Sequence, residues 1–372
     1  MHQVLKSTEP LAADPNPSNS GTPQHMNSPR LHITRFDVWM NPIFDESMAA
    51  DDSVTLEIAP TNDTEAGWAA LERAHIYQIT AAKDELVQFH AQQKLIDRCP
   101  NLLAVSSVGA GYDTVDVAAC TRAGIAVVSQ LGGNAHAVAE MAIGLMLAVS
   151  RRIAESDRKL RTQRGFSREA LMGSDIGGKV LGVVGIGFTG TRTAALAKAF
   201  GMRVLAFDPF VAPEEIRRRG AEPTDLDTLL RASDIVSVHC PRNKDTLHLM
   251  DAKRFASMKK GAIFVTTARG GIHDEQALAE VLTAGHLAGA GLDVWKQEPP
   301  PLDHPLLALD NVVATYHTAG VSHEGRRNVT RMAAEQVLQL VRGERPPHLI
   351  NPDVWDVFQE RRANALRALQ AS

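Results

Sequence analysis

The stretch 181-LGVVGIGFTGTRTAALAKAFGMRVLAFDPF-210 constrains the fold more than any other part of the chain. A short apolar run leads into three spaced glycines, Gly185, Gly187 and Gly190. An Ala/Leu-rich pattern follows, and a second apolar run stops at Asp208. Strand, tight turn, helix and strand is the unit this order predicts. The same order recurs downstream. Candidate strands are 180-VLGVV, 203-RVLAF, 234-DIVSVH, 262-AIFVT, 288-AGAGLDV and 312-VVAT, with helical segments between them. None alternates strictly between apolar and polar residues, as expected of strands covered on both faces. Six such strands make one doubly wound parallel sheet.

A second, less regular α/β pattern begins near residue 31. Its β-prone runs are 31-LHITRFDVW, 102-LLAVSSV and 125-IAVVS, and 83-KDELVQFHAQQKLIDRC reads as a helix. The segment 324-EGRRNVTRMAAEQVLQLVRG-343 is an amphipathic helix. Val329, Met332, Ala333, Val337, Leu340 and Val341 form one stripe, and Gly343 is the C-cap. The Arg- and Ala-rich tail 351–370 is also expected to be helical.

Gly185, Gly187 and Gly190 form G-x-G-x-x-G between a strand and a helix. The first glycine permits the turn. The second lets backbone approach a pyrophosphate, and the third lets helix and strand pack closely. The helix N-terminus adds free N–H groups and the positive end of a dipole. Asp208 ends the next strand, where a carboxylate binds a ribose 2′-hydroxyl and repels a 2′-phosphate. The expected cofactor is therefore NAD rather than NADP.

Composition narrows the partners. The 372 residues carry a net charge of −4, so no basic face for nucleic acid or anionic membrane is implied. Cys99, Cys120 and Cys240 are odd in number, and no pair has metal-ligand spacing, so no metal is expected. They fit a reduced, cytoplasmic protein. The longest apolar stretch, 138-VAEMAIGLMLAVS-150, contains Glu140 and is shorter than the roughly 20 residues that span a bilayer. Residues 1–30, rich in Pro, Ser, Asn and Thr, are expected to be a disordered tail.

Three later segments, 266-TTARGG, 293-DVWKQEPP and 315-TYHTAG, each end a predicted strand with an ionisable residue. Ligands of doubly wound sheets bind beyond the carboxyl ends of the strands. Arg269, Asp293, Glu298 and His317 can therefore converge. That set suits hydride transfer at a 2-oxo or 2-hydroxy acid. An Arg clamps a carboxylate with two hydrogen bonds and polarises the C2 oxygen. A His gives or takes the alcohol proton, and a neighbouring Glu stabilises the imidazolium. Each residue alone also fits a structural role; the joint pattern carries the argument.

The ordered segments 105-VSSVGAGYDTVDV, 134-NAHAVAEMAIGLML, 182-GVVGIGFTG, Asp208-Pro209, 239-HCPRNKDT, 268-ARGG, 293-DVWKQEP and the His317 segment resemble the D-isomer-specific 2-hydroxyacid dehydrogenases over residues 60–352. The resemblance implies two Rossmann-like domains, with a doubly wound NAD domain inserted into a smaller, split, flavodoxin-like substrate domain. The substrate domain would be 31–133 plus 322–352, the NAD domain 134–321, and 353–372 a helical tail. It implies that Arg269 binds substrate, His317 is the acid/base and Glu298 its partner. Asp293 would bond the nicotinamide amide, and the Val108-Gly109-Ala110 backbone would cradle the substrate carboxylate. Phe188, Thr189, Cys240, Thr246, Thr267, Ala268 and the 317–320 stretch with Gly320 would complete the NAD site. The helix at 138–150 would cross between domains and help form a homodimer. His136 falls in a segment expected to line the interdomain cleft.

Two positions depart from the family pattern. Thr267 stands where Asn is common, and Tyr316 where Pro usually precedes the His. Phosphoglycerate dehydrogenases of the family carry an Arg-Ser pair in a first-domain loop that holds phosphate. Gln78-Ile79 stands there instead, with Lys83 nearby. Losing one charge-assisted hydrogen bond costs on the order of 1.5–3 kcal/mol. A small unphosphorylated acid such as hydroxypyruvate or glyoxylate is thus the leading substrate, and phosphoglycerate the alternative. The family also includes NAD-sensing transcriptional corepressors, a binding function on the same scaffold.

Overall fold

The computed structural model describes residues 29–82 and 86–371. Lys83 and all but the last two residues of the expected N-terminal tail lie outside them. Two parallel sheets organise the described chain. The first holds β1 (Leu31–Phe36), β2 (Val54–Ala59), β3 (Ile76–Ile79), β4 (Ala104–Ser107) and β5 (Ala126–Ser129), in the order β2-β1-β3-β4-β5. That is the flavodoxin-like order.

The second sheet holds β6 (Val180–Val184), β7 (Arg203–Phe207), β8 (Glu222–Pro223), β9 (Ile235–Val238), β10 (Ile263–Thr266), β11 (Gly289–Leu292) and β12 (Val312–Ala314). Its order, β12-β11-β10-β9-β6-β7-β8, is the doubly wound Rossmann order with one further parallel strand at the β12 edge. In each sheet the order reverses beside the first strand. Two switch points thus face one another across the cleft.

The six strands expected around the glycine turn all form in the second sheet, and β8 is a seventh. It has two residues and lies at an edge, where Pro223 can go without an N–H. The first sheet has two strands the apolar runs do not reveal. β2 is an edge strand interleaved with Thr55 and Glu57, and β3 is a four-residue buried run containing Gln78.

The single helix expected over 83–99 is corrected to two short pieces. Val87–Phe89 is a 3-10 turn, the chain extends through Ala91, which pairs with Val115, and a helix resumes at Gln93–Arg98. The break buries Phe89 completely against Phe36 and Trp68, with ring centroids 4.4 and 5.1 Å away. Stacking that aromatic into the core outweighs continuing the helix.

The helix Ala135–Ser150 leaves the first sheet and packs on β10 and β11 and on the helix Phe188–Ala199. Leu145, Met146 and Val149 join Leu181, Val183 and Val265 in one core. The helix His323–Arg342, N-capped by Ser322, returns to the first sheet. Ala333, Val337 and Leu340 bury against Leu31, Ile33 and Ala126.

The last helix, Trp355–Ala371, is not an appendage. Phe358 belongs to that same core, and Arg361 donates to the carbonyls of Pro100, Ala123 and Gly124. Buried Asn351 anchors the approach, accepting from the Val127 N–H and donating to the Ile125 carbonyl. Among the described residues, no helix is long and apolar enough to cross a membrane.

Candidate active site

The glycine turn has the three properties its spacing predicts. Gly185 has φ +91°, and a Cβ there would stand 2.7 Å from the Cys240 nitrogen. Gly187 is the N-cap of the helix Phe188–Ala199, and nothing lies within 4 Å of where its side chain would be. At Gly190 a Cβ would collide with the Gly185 carbonyl. The open position is where a pyrophosphate can approach the helix N-terminus, so the turn fits a dinucleotide.

Asp208 follows β7. One carboxylate oxygen accepts the Ile186 N–H at 3.0 Å and the other the Phe210 N–H at 3.0 Å. It therefore both braces the turn and sets a negative charge at the ribose position. Like charges placed together cost several kcal/mol. Asp208→Ala is expected to reduce the NADH-over-NADPH preference in kcat/KM by at least about tenfold. Initial rates with both cofactors measure this.

Beyond β10, β11 and β12 the chain assembles a second cluster. His317 Nδ1 meets Glu298 Oε2 at 2.8 Å, and Glu298 Oε1 accepts the Trp295 N–H at 3.0 Å. Burial alone would raise the Glu298 pKa. The His317 hydrogen bond and charge, the Trp295 N–H and Arg269 together hold it below its ordinary value. Nδ1 is thus engaged, which leaves Nε2 for a substrate.

His317 has φ +47°, an uncommon conformation for a residue with a side chain. Its N–H donates to the Asp293 carbonyl at 2.6 Å. Fully buried Asp293 fastens the rest of the loop. Its carboxylate accepts from Thr315 Oγ1 (2.5 Å), the Thr318 N–H (2.9 Å) and the Ala319 N–H (2.9 Å). Both oxygens thus hold the His317 loop from behind the cavity wall.

Arg269 reaches across the cleft. Its Nε donates to Asp113 Oδ2 at 3.0 Å and its Nη1 to the Ala268 carbonyl at 2.8 Å. Arg242 donates to the other Asp113 oxygen at 3.2 Å. One first-domain carboxylate thus holds two second-domain guanidinium groups. Sequence reading quoted Asp113 without giving it a role, because its partners lie 129 and 156 residues away.

Gly111 belongs to the same arrangement. A Cβ at this position would collide with Arg269 Nη2. Its backbone is not in the left-handed region, so a side chain there would act by pushing the Arg269 guanidinium aside. Gly111→Ala is expected to displace Arg269 and lower kcat/KM at least about 10²-fold, since misplacement by an ångström can cost that much. NADH affinity, measured by fluorescence titration, is expected to persist.

The backbone N–H groups of the expected carboxylate cradle are engaged to different degrees. The Val108 N–H continues the parallel ladder and donates to the Ile79 carbonyl at 3.0 Å. The Gly109 N–H donates to Oε1 of fully buried Gln130 at 2.8 Å. Neither is left for a ligand. Among the described residues, the N–H groups of Ala110 and Gly111 have no protein acceptor, and both line the cavity beside Arg269.

That cavity has a volume of about 1060 Å³ and is walled by both domains. It brings together Val108, Gly109, Ala110, Arg269, Glu298 and His317 on the substrate side. Gly187, Phe188, Thr189, Cys240, Thr267, Ala268 and Gly320 lie on the cofactor side. Gly185, Gly190, Asp208 and Thr246 stand off the wall. Thr246 Oγ1 donates to the Pro241 carbonyl and shapes the loop after β9. His136 is exposed and does not line the cavity, while Asn134 and Val138 of the same segment do.

Two wall residues have unspent polar atoms. Thr267 Oγ1 and His239 Nδ1 are buried without partners. His239 Nε2 bonds Ser237 Oγ at 2.9 Å, and burial lowers its pKa to about 4, so it stays neutral. Burial raises the Cys240 thiol to about 11, which leaves it protonated at neutral pH.

Comparison with known proteins agrees with this geometry. The sequence profile described as "D-isomer specific 2-hydroxyacid dehydrogenase, NAD binding domain" matches residues 143–319. A D-3-phosphoglycerate dehydrogenase of Archaeoglobus fulgidus is 43% identical over 256 residues, 69% of this chain. This chain spans only about half of that relative, 48% of its length. A glyoxylate reductase of Thermofilum pendens is 40% identical over 275 residues, 71% of this chain and 79% of the relative. A crystal structure of D-lactate dehydrogenase from Aquifex aeolicus, complexed with NAD and lactic acid, superposes with a TM-score of 0.74. It is 25% identical and covers 86% of this chain and 99% of its own. The chain belongs to the D-isomer-specific 2-hydroxyacid dehydrogenase family.

Proposed function

We propose that the protein is an NAD-dependent oxidoreductase acting at C2 of a small, unphosphorylated 2-oxo or D-2-hydroxy acid. The observation that carries this reading is the meeting, in one cavity, of the His317–Glu298 pair, Arg269 and the open glycine turn. When bound, NADH supplies the hydride to C2. The Ala110 and Gly111 N–H groups and Arg269 hold the substrate carboxylate. Arg269 also polarises the C2 carbonyl. His317 Nε2 delivers the proton to the C2 oxygen, and Glu298 stabilises the imidazolium before transfer. Asp293 and Asp113 position the two key side chains.

The relatives named glyoxylate reductase support a small acid. Gln78 supports an unphosphorylated one. It lines the cavity from β3, but its amide nitrogen donates to the Ser106 carbonyl, and it brings no positive charge. The division of labour we infer gives residues 134–321 to the cofactor and the segments on either side to the substrate. We also infer a homodimer through the outer face of the helix Ala135–Ser150. Exposed Ile153, Leu160 and Met172 continue that surface; light scattering of the purified chain tests it.

The test of function is NADH oxidation at neutral pH with glyoxylate, hydroxypyruvate, pyruvate, phenylpyruvate and 3-phosphohydroxypyruvate. Turnover of an unphosphorylated acid with NADH is expected. Tight NADH binding without turnover of any acid would contradict the reading.

A further inference from the structure

We infer that Arg326 forms a subsite for a second carboxylate on the substrate, so that the preferred acid is a 2-oxo diacid. This rests on the dehydrogenase reading above and deepens it. Arg326 lies in the first turn of the helix His323–Arg342, nine residues beyond His317. It lines the same cavity as His317 and Arg269.

The other guanidinium groups of the cavity wall are satisfied. Arg35 grips Asp45 with two bonds, of 2.8 and 2.5 Å, and Arg242 and Arg269 share Asp113. Among the described residues, the Arg326 guanidinium has no hydrogen-bond or ion-pair partner, and its Nε is buried. Its guanidinium carbon stands 5.8 Å from the centroid of the Trp39 ring, also on the wall. A ring face holds a cation in place without neutralising it.

Arg326 as a whole is half-buried, but a buried N–H without an acceptor is costly, and a bound anion can accept from it. Among the described residues, the acidic side chains of the wall are already engaged. Asp113 is held by two arginines and Glu298 by His317. A monocarboxylic substrate neutralises the Arg269 end and leaves Arg326 unmatched. A second carboxylate, planar and singly charged, matches one guanidinium in shape and charge. A phosphate carries a charge of about −1.5 to −2 and would leave part of it uncompensated. Among the described residues, the remaining cation of the wall is Lys296, which is exposed.

The test compares acids of equal length on the full chain with NADH: oxaloacetate against 2-oxobutyrate, 2-oxoglutarate against 2-oxovalerate, and 3-phosphohydroxypyruvate against hydroxypyruvate. At least one diacid is expected to exceed its monoacid in kcat/KM by about 30-fold or more, mainly through KM. Arg326→Gln is expected to cut that ratio at least about tenfold, and Arg326→Lys to give an intermediate value. A ratio taken on one preparation does not depend on how much of the variant is folded. The proposal fails if wild type shows no diacid preference, if Arg326→Gln leaves the ratio unchanged, or if only the phosphorylated acid is favoured. Turnover of none of the acids would instead contradict the dehydrogenase reading, and the subsite with it.

Discussion

Arg269→Ala is expected to lower kcat/KM for 2-oxo acid reduction by roughly 10²–10⁴-fold, because two charge-assisted bonds of about 1.5–3 kcal/mol each are lost. The end of β10 aims this side chain into the cleft, where Asp113 and the Ala268 carbonyl fix the guanidinium. Arg269→Lys keeps the charge but loses the two-pronged geometry, so it is expected to recover only part of the activity. NADH affinity is expected to survive in both, since Arg269 braces no part of the glycine turn. A fluorescence titration beside the rate measurement separates lost substrate binding from a collapsed fold. Full turnover by Arg269→Ala would remove this residue from the mechanism.

His317→Ala is expected to cost about 10²–10⁴-fold in kcat, the usual contribution of a positioned acid or base. Glu298→Gln is expected to cost less, since the imidazole stays but loses its charged partner. Glu298 also predicts a pH effect on stability. Its folded-state pKa lies below the ordinary value of 4.5. A carboxylate of that kind contributes stability that is complete above pH 4.5 and lost as the pH falls through its lower folded value. Thermal unfolding of wild type and Glu298→Gln at pH 7 and below pH 4 checks this. The gap between the two is expected to narrow in acid; a constant gap would show that the carboxylate is not paired in the folded protein.

The second sheet was legible because its strands are covered on both faces. IVSV, IFVT and VLGVV stand out as continuous apolar runs between helical segments. β2 alternates with polar residues, β3 is four residues long with Gln78 inside it, and β8 is a two-residue edge. None of these has the length or composition that marks a buried strand. The helix expected over 83–99 failed for a tertiary reason: burying Phe89 between Phe36 and Trp68 is worth more than local continuity.

At the site, residues that end strands could be read directly. Arg269, Glu298 and His317 follow strands whose carboxyl ends must converge. Contacts between distant segments could not be read. Asp113 meets Arg269 and Arg242 only once the two sheets face each other. The Val108 and Gly109 N–H groups are consumed by Ile79 and by Gln130, a buried side chain whose direction no local pattern gives. Asp293 could be read as the end of β11, but not its hold on the Thr318 and Ala319 N–H groups, which lie 25 and 26 residues away.

The central claim is that this cavity directs hydride to C2 of a 2-oxo acid while His317 protonates the oxygen. Reduction of one accepted acid with NADH carrying deuterium at both C4 positions tests it most directly, with wild type and His317→Ala run side by side. The account predicts a D-2-hydroxy acid with deuterium at C2 from wild type, and a rate at least about 10²-fold lower from the variant. A product without deuterium at C2, or equal rates from the two proteins, would contradict it.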